Sequence, residues 1–257
     1  MLVLLSCAKT MSAVSKVKVP LTTIPRFQKE AAEIALQMSQ FSVDELERLL
    51  RVNAKIAVEN YKRYQAFHAE TTPELPALLA YTGIVFKRLN PKDFSAEDFG
   101  YAQEHLRLTS FCYGLLRPLD VIRSYRLEGD VVLPELGNQT LFSYWRSRLT
   151  DTFIEDIRSA GGILCNLASD EMKSLFDWKR VESEVRVVTP EFHVWKNGKL
   201  ATIVVYTKMS RGEMTRFILK NKIGNPEELK GFSWEGFEFD ESLSDERKLV
   251  FINGMGE

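Results

Sequence analysis

Two short apolar runs, far apart in the chain and each followed at once by small polar residues, constrain the fold most strongly. LVLL (residues 2–5) leads into Ser6, and ILC (residues 163–165) leads into Asn166. Three or four apolar residues are too few for a helix and are typical of a buried strand that ends in a turn. Helical patterns fill much of the chain around these runs. The sequence therefore predicts a mixed α/β protein whose mixed β-sheet is flanked by helices.

Three segments carry the spacing of a capping box, in which the first residue and the one three positions later bond to each other's backbone amides. They are Ser42–Glu45, Ser95–Asp98 and Ser210–Glu213. The third predicts a helix that opens at Ser210 and ends near Gly224. Before it, EFHVWKNGKLATIVVYT (residues 191–207) predicts a β-hairpin, because Asn197-Gly198 suits the positive φ angles of a type I′ turn.

The segment from Ser42 to Phe67 has the pattern of two helices joined by a short turn. Apolar residues recur at helical spacing on both sides of a break at Val52–Ala54. Helix-hairpin-helix modules bind the DNA backbone through such a turn and usually place a glycine there, whereas this turn is Val-Asn-Ala flanked by Arg51 and Lys55. Two interpretations stay open. One is an ordinary packing hairpin, and the other is a helix-hairpin-helix-like element whose cations contact DNA phosphates.

The overall charge excludes a general attraction to polyanions. Lys and Arg number 34 and Asp and Glu 35, which gives a net charge of −1 at pH 7. Binding of nucleic acid would therefore need a local basic patch. No apolar run approaches the roughly 18 residues that span a bilayer, and no basic residue precedes the first apolar run as in a secretory signal. We expect a cytoplasmic protein with no membrane partner.

Cysteines and histidines are sparse and scattered. Cys7, Cys112, Cys165 and three histidines occur without CxxC, HxxxH or HExxH spacing. Neither a disulfide framework nor a metal site is expected, and no cofactor is implied. Cys112 and Cys165 lie in apolar runs, as small core residues do. Cys7 lies near Lys9, a cation that would lower its pKa, but no histidine or second cysteine is close in sequence to complete a reactive pair.

The polar residues after the two apolar runs form the first candidate site. In open α/β sheets, ligands bind where loops leave the carboxyl ends of the strands. If the two predicted strands are neighbours, Lys9 and Glu171 face one cavity lined by Ser6, Asn166 and Ser169. A lysine with a carboxylate partner can transfer protons or act as a nucleophile. The alternative is an ordinary turn lysine and an acid that favours a helix start.

Two basic clusters form the second candidate site. One runs through TKMSRGEMTRFILKNK (residues 207–222), and the other lies in YGLLRPLDVIRSYRLE (residues 113–128). Arginine forks suit phosphate, so the clusters predict an anion-binding surface. The candidate residues are Arg117, Arg126, Lys208, Arg211 and Arg216, and Tyr113 beside them is expected to line the cavity together with Ser6, Asn166 and Ser169. The alternative is paired surface charge, because Asp120 and Glu128 lie close enough in sequence to neutralise the arginines of the second cluster.

Six blocks along the chain together resemble one protein family. They are SCAKT, LRLTSFCYGLLRPLD, SYRLE, LFSYW, NLASDE and KMSRGEMTRFI, in that order. This set is similar to the YaaA family of bacterial peroxide-stress proteins, and the resemblance covers essentially the whole chain. It implies one mixed α/β domain over residues 1–257, with a helix-hairpin-helix-like element at residues 42–67 within it.

The resemblance also implies a function. It implies a cytosolic protein of the hydrogen peroxide response that binds DNA through its backbone, by structure rather than sequence, and helps to limit iron-driven oxidative damage. The family's charged cleft maps onto Lys9 and the five cations of the two basic clusters. The family commonly begins S-P-A-K, whereas this chain has Cys7 in place of the proline. A thiol at that turn is therefore not part of the shared function.

The residues themselves leave a second function open. The strand-end cavity with Lys9 and Glu171, beside candidate anion-binding arginines, fits an enzyme that acts on a nucleotide or another phosphate-bearing small molecule. No catalytic residue transfers from the family, because the family offers no agreed reaction mechanism. Whether the protein is an enzyme is therefore left open by the sequence.

Overall fold

The computed structural model describes residues 1–196 and 198–254. Within them the α-helices are α1 (Gln28–Met38), α2 (Val43–Leu50), α3 (Ala54–Ala66), α4 (Ala77–Ala80), α5 (Ile84–Leu89), α6 (Ala96–His105), α7 (Leu141–Ser159), α8 (Asp170–Lys173), α9 (Trp178–Glu184) and α10 (Val204–Asn221). The strands are β1 (Leu2–Leu5), β2 (Leu75–Pro76), β3 (Leu106–Ser110), β4 (Gly114–Leu116), β5 (Val121–Ile122), β6 (Val132–Leu133), β7 (Gln139–Thr140), β8 (Ile163–Asn166), β9 (Arg186–Lys196), β10 (Lys199–Ala201), β11 (Phe237–Asp240) and β12 (Lys248–Asn253). Short 3₁₀ segments are Pro91–Asp93, Pro134–Leu136 and Pro226–Gly231.

One main sheet organises these elements. Its strand order is β11-β12-β9-β8-β1-β3-β4, with β10 paired to β9. The central strands from β12 to β3 are parallel to one another, and the edge strands β4 and β11 are antiparallel to their neighbours. All four residues of β1 are buried, as expected for a parallel strand covered on both faces. The predicted mixed α/β fold with a mixed sheet is confirmed.

The two apolar runs of the sequence form neighbouring strands. β1 and β8 are parallel, with Val3 opposite Cys165 and Leu4 opposite Asn166. The chain crosses from β1 to β3 on one side of β1, and from β8 to β9 on the other side. Loops that diverge in this way leave a crevice at the carboxyl ends of the two strands. Both runs therefore end at one crevice.

Helices pack against the strands that form this crevice. α6 packs against β1 and β3, α7 against β4 and β8, and α9 and α10 against β9. Large side chains such as Trp145, Phe153 and Phe176 are buried in the core, and burial of each contributes roughly 1.5–3 kcal/mol of hydrophobic free energy. None of the described helices is both long and apolar enough to cross a membrane.

Two of the three predicted capping boxes are confirmed. Ser42 begins α2 and Ser95 begins α6, each with both reciprocal hydrogen bonds. The third prediction is wrong, because Ser210 lies inside α10, and the helix ends at Asn221 with Lys222 as its cap. A capping signal acts over four residues, whereas α10 is stabilised along its length by packing against α5 and β9.

The predicted hairpin forms, but its second strand is short. β9 pairs with β10 from Lys196 opposite Lys199 to Val194 opposite Ala201. The turn residue Asn197 lies outside the described residues. The β-branched residues 203–205 have the pattern of a strand, but Val204 begins α10. The reason is that β propensity spans only about 1 kcal/mol, which the packing of a long helix outweighs.

The predicted helical pair is formed by α2 and α3. Arg51 ends α2 in the left-handed conformation, with φ 51° and ψ 50°. Asn53 caps α3 by accepting the Ile56 amide hydrogen bond at 3.0 Å. Arg51 thus occupies the left-handed position that glycine usually fills at a helix end. The hydroxyl of Tyr64 on α3 donates to a backbone carbonyl of the β5–β6 connection at 2.6 Å, which ties the hairpin to the rest of the fold.

Candidate functional site

A cavity of about 320 Å³ opens at the carboxyl ends of β1 and β8. Its walls come from residues 5–10 after β1, from the segment after β8, from residues 83–86 at the start of α5 and from residues 125–127. Lys208 and Arg211 of α10 also line it. Cavities of roughly 300–1,000 Å³ hold small molecules. We call this cavity the strand-end pocket.

Hydrogen bonds between the two strand-end loops fix the base of the pocket. The Ser6 hydroxyl accepts the Ser169 amide at 2.9 Å and lies 3.3 Å from the Ser169 hydroxyl. The Leu167 amide donates to the Leu4 carbonyl at 3.0 Å. Both serines were predicted to line the cavity, and both do. The loops are therefore held together by their own backbone and hydroxyl groups.

Two glycines let the other walls approach. A Cβ at Gly212 would lie 2.8 Å from Cβ of Arg88 and would collide with the Val85 carbonyl oxygen. A Cβ at Gly83 would lie 2.9 Å from Cβ of Ala8. α10 therefore crosses α5 with backbone nearly touching backbone, and α5 touches the loop after β1. This close packing brings the cations of α10 to the strand ends, and a glycine inside a basic helical pattern was its signal in the sequence.

Glu128 is the carboxylate partner of Lys9. It is buried, and it accepts hydrogen bonds from Lys9 Nζ at 2.8 Å and from Arg126 Nη2 at 3.5 Å. The sequence placed Glu171 opposite Lys9. Glu171 lines the same pocket, but its side chain is exposed. Sequence reasoning treated Glu128 only as a neutraliser of nearby arginines and so missed it as a site residue.

Arg211 is the least satisfied charge in the pocket. Among the residues that the structure describes, its buried Nε has no hydrogen-bond partner, and the same is true of Arg126 Nε. Burial lowers the pKa of the Arg211 guanidinium, which the carboxylate of Asp170 opposes. Across residues 1–196 and 198–254, neither Arg211 nor Lys208 forms an ion pair. A buried donor without an acceptor costs about 1–3 kcal/mol, and an anion bound to the guanidinium from the pocket would compensate the unpaired charge.

Cys7 lies in the pocket wall as an unreactive thiol. Burial raises its pKa to about 12, and the negative charges of Glu171 and Glu128 add to the rise. Its backbone amide donates to the Thr109 hydroxyl at 3.2 Å. The thiolate is the reactive form, so Cys7 serves here as a small apolar wall residue.

Tyr113 and Asn166 do not line the strand-end pocket, although the sequence placed both there. Asn166 is 1% exposed, and its side-chain oxygen accepts the Ala168 amide at 3.2 Å. The Tyr113 hydroxyl accepts the backbone amide of Arg123 at 3.0 Å. Both side chains are used to shape loops behind the pocket wall.

Arg117 and Arg216 also lie outside the pocket lining, and other groups neutralise them. Arg117 contacts Asp120 at 2.9 Å and donates to the Ile24 carbonyl at 3.1 Å. Arg216 binds both carboxylate oxygens of Asp93, at 2.9 and 2.5 Å. The alternative interpretation of paired surface charge therefore describes these two arginines, whereas Lys208 and Arg211 remain unpaired within the described part of the chain.

Arg51 and Lys55, the two cations that flank the turn between α2 and α3, differ in their surroundings. Arg51 binds Asp130 at 2.6 and 3.0 Å, and this hydrogen-bonded pair raises the pKa of Arg51, with smaller contributions from Glu128 and Glu171. Arg51 is thus close to the acids of the pocket. Lys55 is exposed on α3.

Among the residues that the structure describes, no group of three His, Cys, Asp or Glu side chains is arranged to hold a metal ion.

Comparisons with known proteins give a consistent result. The sequence matches the family described as "Peroxide stress protein YaaA" over residues 1–243. A UPF0246 protein of Bacteroides thetaiotaomicron is 99% identical over 257 residues, which is 100% of each chain. A UPF0246 protein of Bacteroides fragilis is 78% identical over 257 residues, again 100% of each chain. One of Porphyromonas gingivalis is 52% identical over 254 residues, which is 98% of this chain and 99% of that protein.

Proposed function

This chain belongs to the YaaA family of peroxide stress proteins, and from that premise we propose that its strand-end pocket binds and acts on a nucleotide-like small molecule carrying a phosphate or carboxylate. One observation carries the proposal. Arg211 lines a pocket at the switch point of the sheet, and among the described residues its guanidinium has no carboxylate partner and its buried Nε–H has no acceptor. A charge held in this way is costly unless a ligand completes it.

The distribution of charge supports an anionic ligand. Lys9 and Arg126 are occupied by Glu128, which leaves Lys208 and Arg211 as the unpaired cations of the described pocket. Arginine and lysine side by side bind phosphate as a fork and a point charge. The exposed Glu171 belongs to the wall formed by the loop after β8. The unpaired positive charge is therefore concentrated on the wall formed by α10.

The walls support a ligand with an apolar or aromatic body. Eight large apolar residues line the pocket, namely Leu5, Ile84, Val85, Phe86, Phe111, Leu127, Leu167 and Met172. Ser6 and Ser169 add hydroxyl groups at the base. Small-molecule sites usually combine such walls with a few polar groups that fix orientation. A base or another flat ring with a phosphate fits this pattern better than a free inorganic anion does.

Lys9 is the residue that we propose for chemistry. Its ammonium group lies 2.8 Å from the buried carboxylate of Glu128, and its side chain is 60% exposed. Glu128 holds the Lys9 ammonium group in place, so Lys9 can donate a hydrogen bond or a proton to a bound ligand. Glu171 is a second candidate for proton transfer from the opposite wall. We therefore propose an enzyme with Lys9 as the catalytic group and Glu128 as the positioning residue.

The test is calorimetric titration with AMP, inorganic phosphate and a sugar phosphate. Arg211→Gln should weaken AMP binding at least about tenfold, because a charge-assisted hydrogen bond is worth roughly 1.5–3 kcal/mol. Lys179→Gln, an exposed lysine of α9, is the matched surface control and should bind as the wild type does. Equal binding by Arg211→Gln and the wild type, or no binding of any phosphate compound by the wild type, would overturn the proposal.

DNA binding is the second candidate function, and the exposed face of the α2–α3 hairpin favours it. Arg48, Lys55 and Lys62 are exposed there, and none of them forms an ion pair with another described residue. We propose that these cations, rather than Arg51, contact DNA phosphates. Such contacts recognise the backbone and its shape, not base sequence.

A salt titration tests the DNA candidate. Binding to duplex and forked DNA should weaken with salt, at a log–log slope of about −0.9 for each phosphate contact. The triple variant R48Q/K55Q/K62Q should reduce that slope by roughly 2–3, and Arg211→Gln should leave it unchanged. Binding that ignores salt, or a triple variant with the wild-type slope, would reject the hairpin as the DNA surface.

The cellular part of the proposal is that the protein limits iron-driven oxidative damage during peroxide stress, which the family resemblance implies. Cells lacking the protein would be complemented with the wild type, with Arg211→Gln or with the hairpin triple variant, and challenged with hydrogen peroxide with and without an iron chelator. We expect Arg211→Gln to fail and the chelator to restore survival. Failure of the triple variant alone would assign the cellular role to DNA binding instead.

A further inference from the structure

A second cavity of about 950 Å³ lies beside the strand-end pocket. Its walls come from residues 12–18, from residues 78–82 and from residues 86–94. Met11, which forms an antiparallel bridge to Tyr81, lies in the chain between the segments that line the two cavities. Residues up to Thr10 line the strand-end pocket, and residues from Ser12 onward line this second cavity. We call it the lysine groove.

The charges of the groove have one sign. Lys16, Lys18, Lys87 and Lys92 line it, and all four are exposed. The lysines that form ion pairs lie elsewhere in the described chain, and no Asp or Glu is among the described residues that line the groove. Four unpaired ammonium groups around one concavity favour a ligand with closely spaced negative charges.

Local hydrogen bonds shape the loop that carries two of these lysines. The Ser12 hydroxyl accepts the Val14 amide at 3.2 Å and donates to the Val14 carbonyl at 2.7 Å. The Ser15 hydroxyl accepts the Val17 amide at 3.1 Å, and the Ser12 amide donates to the Ala80 carbonyl at 2.8 Å. The loop that carries Lys16 and Lys18 thus has defined turns and is anchored to the opposite wall.

The aromatic residues of the groove do not offer faces for bases. Tyr81, Phe86 and Phe94 are 2%, 3% and 8% exposed, and the Tyr81 hydroxyl is bonded to that of Tyr125 at 2.7 Å. Proteins that bind single-stranded nucleic acid stack the bases on exposed aromatic rings. The groove therefore suits a chain of phosphates without bases.

We propose that the lysine groove binds a linear oligophosphate chain. Two sources have this chemistry, free inorganic polyphosphate and the phosphate tail of a nucleotide whose body lies in the strand-end pocket. The second source rests on the proposed function. The two cavities share Phe86 in their walls, and the exposed rim between them is formed by Thr10 and Thr82, whose hydroxyls lie 3.2 Å apart. A phosphate chain crossing this rim would meet two hydroxyl groups.

Calorimetry with tripolyphosphate and with ATP, in magnesium-free buffer, tests the proposal. The variants are the groove doubles K16Q/K18Q and K87Q/K92Q, the pocket variant Arg211→Gln, and the control double K179Q/K199Q, which removes two exposed lysines elsewhere. Each groove double should weaken tripolyphosphate binding about three- to tenfold, because exposed charge pairs contribute roughly 0.2–1 kcal/mol each. The control double should have no effect.

The ligands distinguish the two sources. If ATP binding is weakened by both groove doubles and by Arg211→Gln, the groove holds the tail of a nucleotide seated in the pocket. If only the groove doubles weaken tripolyphosphate binding, and ATP binds no tighter than tripolyphosphate, the ligand is free polyphosphate. In that case the lysine groove stands as a phosphate site, and the proposed nucleotide function of the strand-end pocket is rejected. Three outcomes would overturn the proposal. Both groove doubles could bind tripolyphosphate as the wild type does, or the control double could weaken binding equally. The third outcome is that a single-stranded oligonucleotide binds in the groove more tightly than tripolyphosphate does.

Discussion

The two ends of α10 carry the same kind of charge in opposite situations. Toward its C-terminus, Arg216 binds Asp93, and Lys220 lies 2.8 Å from Asp98. Toward its N-terminus, Lys208 and Arg211 face the strand-end pocket without a carboxylate partner in the described structure. One end therefore stabilises the fold, and the other is available to a ligand. A basic run in a sequence does not distinguish these roles, because the partners decide them.

The largest expected effect comes from Gly212, which lies between the two ends. Gly212→Ala places a Cβ against the Val85 carbonyl, and overpacking of this kind costs about 1–3 kcal/mol or more. We expect a lower denaturation midpoint and loss of AMP binding together, because α10 would move away from the pocket.

Gly100→Ala is the matched control for Gly212. It lies inside α6 with open space around its Cβ position, and alanine there should stabilise the protein by roughly 0.5–1 kcal/mol through helix propensity. Equal denaturation midpoints for the two variants would contradict the role of Gly212 in helix contact.

Replacing Arg216 and Arg211 by glutamine, one at a time, tests this comparison directly. Arg216→Gln should lower the free energy of unfolding by about 1–2 kcal/mol, because it removes charge-assisted hydrogen bonds to Asp93 and to the Asn90 carbonyl at 2.8 Å. Arg211→Gln should raise the free energy of unfolding, by up to about 1–3 kcal/mol, because it removes an unsatisfied buried charge, and it should weaken AMP binding at least about tenfold. Urea denaturation and calorimetry on both variants measure this crossover, and a similar pattern in both would remove the distinction between the two ends.

Acid should affect the anchored end of α10. Burial would raise the pKa of Asp98, but hydrogen bonds from Lys220 and Ser95 outweigh it and hold the pKa at about 2, below the ordinary 3.8. Stability from this carboxylate is thus fully present above about pH 4 and is lost as the pH falls through about 2. The loss is roughly 2 kcal/mol.

Denaturation between pH 5 and pH 2 measures this effect in the wild type and in Asp98→Asn. The variant should be less stable at pH 5 and should lose less stability on acidification. Glu97→Gln, at the largely exposed neighbouring acid, is the control and should keep the wild-type pH dependence. Parallel curves for the wild type and Asp98→Asn would show that Asp98 does not anchor α10.

The smallest effect is expected at Cys7, inside the pocket itself. Because its pKa is raised to about 12, the thiol stays protonated at neutral pH. Cys7→Ala should leave AMP binding and survival under peroxide close to those of the wild type. Alkylation of Cys7 in the folded protein should be much slower than in the denatured protein at pH 8, and fast alkylation would show that the thiol is more accessible than its burial indicates.

Features encoded within a few neighbouring residues could be predicted from the sequence. The apolar runs gave β1 and β8, Ser42 and Ser95 marked true helix starts, and the polar residues after the two strands were placed at one crevice. Hydrogen bonds of a cap and the spacing of apolar residues act over about four positions. The local pattern is therefore sufficient for them.

Other features were decided only by the tertiary structure. Lys9 and its partner Glu128 are 119 positions apart, and Arg216 and Asp93 are 123 apart. The start of α10 at Val204 depends on packing against α5 and β9, which outweighed both a β-branched run and a capping signal at Ser210.

The sequence by itself determined β1, β8, the caps at Ser42 and Ser95, and the crevice at the strand ends. The tertiary structure decided which cations are neutralised and which face the pocket. The physical reason is that the interaction of a charge depends on distance in space and on burial. Local sequence specifies neither quantity for partners that lie a hundred residues apart.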